Sequence, residues 1–445
     1  MNAHHYKYLL AFVPAIVFQI LPILLLQSGT ASQPKVKVNE LDVDETRSIV
    51  VRYREADHWA LKAIILTSLP EKWHPSAASI LSDAIDHKEP RLRAYAIEAL
   101  RRADPECLRS ALTKEFISEI AGQFSSIKNA FYKERIVSIL ARAFPELNGK
   151  TTDKWKTADW QVWWGKARNT YVPAPWNAPD SRPAATTKSG GTFAIAERWI
   201  TRAVDLSISG LDVAICIDST GSMQPTIDAA REGLEEIIAM LRGLSPKFRL
   251  GLVHYKDLGD LGNGARLLSP LTDRVENVRE SLGKLNAGGG GDIPEAVDRG
   301  LECALDVYTM GWTPLANKLV IIIGDAPPHA GNLDKAIKLA KDAFEKPFGK
   351  EPRIPNDLKM DKNANRPFIT SAIVVNPTPE ATKTLQAISD AGGGMCGSIA
   401  IQGSSDATKQ IVQHILTLTF GRQWKDQAGV FVSIFQEYRR NGYFQ

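Results

Sequence analysis

The sequence predicts an α/β fold, a doubly wound and mostly parallel sheet, preceded by an all-α region. Three observations carry that expectation. Short apolar runs rich in β-branched residues, such as Val213–Ile217 and Asn317–Gly324, read as strands buried on both faces. The segments between them space their apolar residues three and four apart, as amphipathic helices do. From about Glu45 to Arg168 only the helical spacing is present.

In chain order, Val213–Ile217 ends abruptly in Asp218, Thr220 and Ser222, which therefore sit at the carboxyl end of a strand. Ile227, Ala230, Leu234, Ile237, Ile238 and Leu241 then mark a helix over Thr226–Arg242, and Phe248–Tyr255 alternates like a strand. Asp257–Ala265 is a Gly- and Asp-rich turn, so Arg266–Thr272 is expected to return as a hairpin partner. Asp273 is placed to cap a helix over Arg274–Leu285. Asn286–Asp292 contains four consecutive glycines, and Pro294 with Glu295 is expected to open a helix running to Tyr308. Asn317–Gly324, the most strand-like run of the chain, delivers Asp325 to the edge that holds Asp218. Phe368–Asn376 and Gly397–Gln402 supply the last strands, alternating with helices Pro379–Ala391 and Asp406–Phe420.

Up-and-down counting thus brings three distant segments to one edge: Asp218 with Thr220 and Ser222, the glycine loop with Asp292, and Asp325. In open α/β sheets that edge is where ligands bind. Carboxylates and hydroxyls are hard oxygen donors, suited to magnesium rather than to zinc, which favours Cys or His. Asp292 stands either as a helix cap or as an oxygen donor. Asp257 and Asp260 read as turn formers, and His254 and His329 as structural histidines bordering the edge.

Three motifs in order, Asp-Ser-Thr-Gly-Ser-Met (218–223), Gly-Gly-Gly-Gly-Asp-Ile-Pro-Glu-Ala (288–296) and Ile-Ile-Ile-Gly-Asp-Ala-Pro-Pro (321–328), resemble a von Willebrand factor type A domain. The resemblance covers roughly residues 205–420. It implies a metal-ion-dependent adhesion site holding Mg2+ (or Mn2+), with a coordination position left for an acidic residue of a protein partner. Asp218, Thr220 and Ser222 match its first element and Asp325 its last. The middle element departs, because Gly291 stands where a Thr is common, and Asp292 is the candidate replacement.

Enzyme signatures are absent: no Gly-x-x-x-x-Gly-Lys, no Gly-x-Ser-x-Gly and no His-Glu-x-x-His occurs. Phosphatases with an aspartyl nucleophile place a second acid where Thr220 stands, so a general acid is lacking. The expectation is a non-enzymatic binding or adhesion protein. Its alternatives are a metal-dependent hydrolase using the same edge, or a scaffold with an empty, degenerate site.

Met1–Tyr8 carries Lys7, and Leu9–Leu26 is apolar apart from Gln19. Residues 1–31 read as a secretory signal cut after Ala31, or as an uncleaved membrane anchor interrupted by Pro14 and Pro22. Either reading places the body outside the cytoplasm, as a periplasmic, secreted or membrane-anchored envelope protein. A formal charge of +4 over 445 residues, without a basic stripe, gives no warrant for nucleic-acid binding. The four cysteines, Cys107, Cys216, Cys303 and Cys396, lack metal-ligand spacing.

Residues 45–170 are expected to form an all-helical domain, with helices at Ser76–His87, Pro90–Arg102, Cys107–Phe124 and Asn129–Phe144. The run Pro90–Ala103 resembles half of a HEAT-type repeat, and a nonrepeating bundle is the alternative. Asp159-Trp-Gln-Val-Trp-Trp164 is expected to close the helical core. Residues 172–196 form a Pro- and Gly-rich linker, Glu197–Ser209 a lead-in helix and strand, and 421–445 a final amphipathic helix packed on the body.

Overall fold

The strands β1 (Leu211–Asp218), β2 (Phe248–Tyr255), β3 (Ala265–Thr272), β4 (Asn317–Gly324), β5 (Phe368–Val375) and β6 (Gly393–Ile399) form one sheet. Their order is β3-β2-β1-β4-β5-β6. Only β3 runs antiparallel, as the hairpin partner of β2. The computed structural model describes residues 43–444 except 57, 72–77, 125, 145–146, 148–154, 174–192, 292, 348–365, 402–403 and 422–424. The signal or anchor segment 1–31 lies outside the described residues, as do residues 174–192 of the expected linker, whose residues 193–196 prove helical.

Every residue of β1 and β4 is buried, because helices cover both faces. Val213, Ile215 and Ile217 face one layer with Leu319, Ile321 and Ile323. That layer is completed by α10 (Gln224–Leu244), α11 (Val275–Lys284) and α16 (Ser404–Phe420). Ala214 and Cys216 face the other layer, built from α12 (Val297–Leu305), α14 (Leu333–Glu345) and α15 (Pro379–Ala391). A four-residue helix, α13 (Val307–Met310), follows α12. The alternation of side chains along a strand is what divides these two cores.

Ahead of the sheet come α1 (Val43–Glu55), α2 (Trp59–Ser68), α3 (Ala78–Asp86), α4 (Pro90–Arg102), α5 (Pro105–Ala111), α6 (Lys114–Gln123), α7 (Ala130–Ala143), α8 (Thr157–Thr170) and α9 (Phe193–Ser209). Trp160 and Trp164 of α8 are buried among Phe124, Phe144 and Tyr171, so this aromatic run does close the helical core. The C-terminal helix α17 (Lys425–Arg440) packs into the same region. Tyr95 donates its hydroxyl to the Phe431 carbonyl at 2.7 Å, and Tyr438 donates to Glu98 at 3.1 Å. The described residues fall within one compact unit. All four cysteines are free thiols, and no helix among the described residues is long and apolar enough to cross a membrane.

Several local expectations are corrected. The expected helix Cys107–Phe124 is two helices, because Thr113 is extended and its hydroxyl accepts the Phe116 amide at 3.1 Å, starting α6 anew. Glu197–Ser209 is helical throughout, as part of α9, with no strand. Asp273 does not cap α11; the Thr272 hydroxyl accepts the Arg274 amide at 3.0 Å instead. The helix after the glycine loop starts at Val297 rather than Pro294, since the Glu295 backbone bridges to Pro328. Strand β6 begins at Gly393 rather than Gly397. At Gly394 any Cβ would overlap the Thr370 carbonyl, so glycine lets β6 press against β5.

Helix α10 meets the helical region at Gly243, where a Cβ would lie 2.7 Å from Trp59 Cζ2 and 3.2 Å from Ala60 Cβ. Gly243→Val therefore forces these elements apart and is expected to cost ~1–3 kcal/mol by overpacking. The expected readout is a lower urea midpoint; a midpoint equal to that of the wild type would refute the contact.

Candidate functional site

The site lies at the carboxyl end of β1, the strand flanked by β2 on one side and β4 on the other. That reversal of strand order is the topological switch point of a doubly wound sheet. Asp218 is the last residue of β1 and 0% exposed. Its Oδ1 accepts hydrogen bonds from the Thr220 amide and the Thr220 hydroxyl, each at 2.8 Å. Its Oδ2 is buried and has no hydrogen-bond partner. Burial pushes the Asp218 carboxyl up to about 7, and the charge of Asp325 adds to the rise against the opposing Thr220 hydrogen bonds.

Asp325 follows β4 and is half-buried. Ser222 lies on a single 3-10 turn, Gly221–Met223, that leads into α10, and its side chain is exposed. The structure therefore brings Asp218, Thr220 and Asp325 together and sets Ser222 on the same loop. Asp292 lies outside the described residues.

The glycine loop docks directly on this loop. The Gly288 amide donates to the Ser219 carbonyl at 3.1 Å, and the Gly221 amide to the Gly289 carbonyl at 3.3 Å. Gly289 and Gly290 have φ of +74° and +80°, which L side chains rarely adopt. At Gly290 a Cβ would lie 2.9 Å from Thr220 Cβ. Asp260 is more than a turn former, because its Oδ2 accepts the Gly290 amide at 3.2 Å. Lys256 donates its ammonium to the Gly288 carbonyl. Asp257 accepts the Leu258 amide and pairs with His329 Nε2 at 3.1 Å.

Two residues were not legible as site residues. Glu295 is 4% exposed, and its Oε2 is buried without a hydrogen-bond partner. Burial pushes its carboxyl up to about 8, reinforced by the charges of Asp218, Asp257, Asp325 and Asp260. Tyr255, at the end of β2, is fully buried, and its hydroxyl also lacks a partner. That hydroxyl occupies the space a Cβ on Gly324 would need, with Asp218 Oδ2 3.5 Å from the same point. The only sequence signals were the strand-end position of Tyr255 and the spacing of Glu295 behind the glycines.

His254 behaves as a structural histidine. Its Nδ1 lies 3.0 Å from the buried Ser219 hydroxyl, and burial, with Lys256 and Arg266 nearby, pushes it down to about 4. It is buried, and the lowered value favours its neutral form at physiological pH.

The donor set fits a hard divalent cation. Oxygens of Asp218, Glu295 and Tyr255 are buried without partners, and carboxylates crowd one edge, an arrangement that positive charge would offset. Among the described residues no group of three or more His, Cys, Asp and Glu is spaced to cage a metal.

A family model for the von Willebrand factor A domain matches residues 212–345. The alpha-protein kinase vwkA of Dictyostelium discoideum is 31% identical over 122 residues, 27% of this chain and 19% of that protein. The putative ariadne-like RING finger protein R811 of Acanthamoeba polyphaga mimivirus is 31% identical over 121 residues, 27% of this chain and 11% of its own length. The chain thus spans less than a fifth of either relative. A crystal structure of the conserved hypothetical protein BatB from Bacteroides thetaiotaomicron covers 47% of this chain and 98% of its own, at 17% identity and a TM-score of 0.32. The family match falls on the segment that contains Asp218, the glycine loop and Asp325, so residues 212–345 of this chain are similar to a von Willebrand factor A domain.

Proposed function

We propose that this is an exported binding protein whose A domain takes an acidic group of a protein partner through Mg2+ or Mn2+. The von Willebrand factor A domain is generally a binding module and commonly mediates protein interactions. The observation that carries the cation reading is the buried, partnerless Oδ2 of Asp218 at the switch point of the sheet. A buried carboxylate oxygen without a donor costs free energy that a bound cation would offset.

Asp218, Thr220, Ser222 and Asp325 would hold the ion, with Asp292 or another group on the glycine loop completing their set. The ion would supply positive charge and an exchangeable position for the partner's carboxylate. Thr220 orients Asp218 by its two hydrogen bonds, and the glycine loop keeps the Asp218 turn fixed from above. Export rests on the apolar run Leu9–Leu26 with the small residues Gly29 and Ala31, and membrane attachment through that run is its variant. The helical region, 45–170, is proposed as a scaffold for interaction. Its HEAT-type resemblance is carried by the Pro90–Ala103 sequence alone.

Two outcomes test this function. A free cation at ~100 times its Kd stabilises a folded state by ~2.7 kcal/mol. Mg2+ or Mn2+ is thus expected to raise the melting temperature of the wild type over that in chelator, and to leave Asp218→Ala unmoved. A wild type indifferent to both ions would sink the cation reading. In a pull-down from envelope extract, the wild type is expected to retain a protein in Mg2+ and release it in chelator, while Asp218→Ala retains none. Equal retention in all three arms would remove the cation from the binding mechanism.

A further inference from the structure

We infer that the outer edge of β6 is a self-association surface, at which the strand pairs antiparallel with β6 of a second copy of this chain. The two edges of the sheet are built differently. On the β3 edge, Arg266 and Pro270 are exposed, and the pairing with β2 breaks register twice. A charge, a proline and an irregular ladder are devices that keep an edge strand from taking up another strand. Strand β6 is Gly-Gly-Met-Cys-Gly-Ser-Ile over Gly393–Ile399, with no charge and no proline in its seven residues. Its one irregularity lies near its start, opposite Thr370 and Ala372, and from Cys396 to Ile399 its register with β5 is unbroken.

Two hydrogen bonds fix which backbone groups face β5. The Met395 amide donates to Ser371 Oγ at 3.2 Å, and the Ile399 carbonyl accepts the Asn376 amide at 2.8 Å. Backbone groups alternate sides along a strand, so Cys396 and Ser398 turn their amides and carbonyls outward. Cys396 is half-buried and Ser398 exposed. Among the described residues neither amide meets an acceptor outside the ladder. The Ser398 backbone bonds to the His414 ring, which leaves its carbonyl a second lone pair.

A second copy is the occupant these groups fit. With a two-fold axis through Gly397, Cys396 of each copy stands opposite Ser398 of the other, and each such pair exchanges both of its backbone hydrogen bonds. Gly397 then meets its own counterpart in the close position, with about 4.5 Å between Cα atoms and no side chain to clash. An uncharged strand neither repels its own copy nor selects an oppositely charged peptide. The result is one sheet continuous across two copies, and antiparallel pairing points their Asp218 edges in opposite directions. Two binding edges are thereby presented at opposite ends of one assembly.

The test is sedimentation velocity of the full chain over a concentration series, with Ser398→Ala, Ser398→Pro and Ser398→Cys beside the wild type, each checked for fold by circular dichroism. Wild type and Ser398→Ala, which keeps every backbone group, are expected to dimerise as concentration rises. Ser398→Pro removes an outward amide from each copy and leaves the β5 ladder whole; it is expected to weaken the dimer about tenfold or more. Under the oxidant diamide, Ser398→Cys is expected to give a dimer linked from Cys396 of one copy to position 398 of the other, seen by mass spectrometry of unreduced peptides, because a hydrogen-bonded pair lies within disulfide reach. That link fixes the register, and it decides the matter if Ser398→Pro does not fold. A wild type that stays monomeric overturns the inference, whether the edge is then open or taken by a strand of another protein. A dimer that Ser398→Pro leaves intact and Ser398→Cys does not link is held by another surface, and overturns it equally. No arm involves Asp218 or a metal ion, so failure here leaves the cation reading standing.

Discussion

A carboxylate oxygen buried without a donor at the end of β1 is the constraint on which the rest of the domain turns. Asp218 reaches that position because β1 is covered on both faces, leaving its last residue 0% exposed. Two hydrogen bonds from Thr220 satisfy one oxygen and so aim the other. Burial pushes the carboxyl up to about 7, against the two Thr220 hydrogen bonds that favour its charge. Stable burial of such a group requires either a proton or a cation, and the oxygen-rich edge around it favours a hard ion.

The neighbouring loops are shaped by the same requirement. Gly324 leaves room for the Tyr255 hydroxyl beneath Asp218, and Gly289 and Gly290 take left-handed conformations that let a backbone lie against Thr220. A side chain at Gly290 would displace the loop from Thr220 and Glu295 together. Glycine in this loop is therefore a matter of close approach as well as of backbone freedom.

Much of this was legible beforehand, because its signals are local. The order of strands and helices followed from periodicity, and the convergence of Asp218 and Asp325 from counting which sheet edge each segment reaches. Pro379–Ala391 and Pro90–Arg102 matched to the residue, since both carry Pro in the first turn and a residue that accepts an amide just before it. The misses have long-range causes. Glu295 behind Pro294 has the composition of a helix start, and its contacts with Pro327 and Pro328, with the Ala296 amide bonded to the Lys256 carbonyl, hold it out of the helix. Tyr255 resembles any aromatic strand end until Gly324 is brought beside it. Strand β6 was hidden in glycines, of which Gly394 is explained by the backbone of β5, Gly393 by the Phe344 ring and Gly397 by His414.

The helical region acquires its meaning from the same long-range contacts. Helix α10 begins at Gln224, directly after the turn that carries Ser222, and at its other end Gly243 lies against Trp59 of α2. Trp59 is itself stacked on Phe431 and Phe435 of the C-terminal helix. That helix is tied to α4 through Tyr95 and Tyr438. Along its length α10 also admits α16 closely at Gly233, where a Cβ would stand 3.0 Å from Thr408. A 21-residue helix is a stiff rod of roughly 30 Å, so displacement of the Ser222 turn along its axis would have to move Trp59 or strain the rod. Close packing resists both, which makes the helical region and the tail part of what holds the Asp218 edge in place.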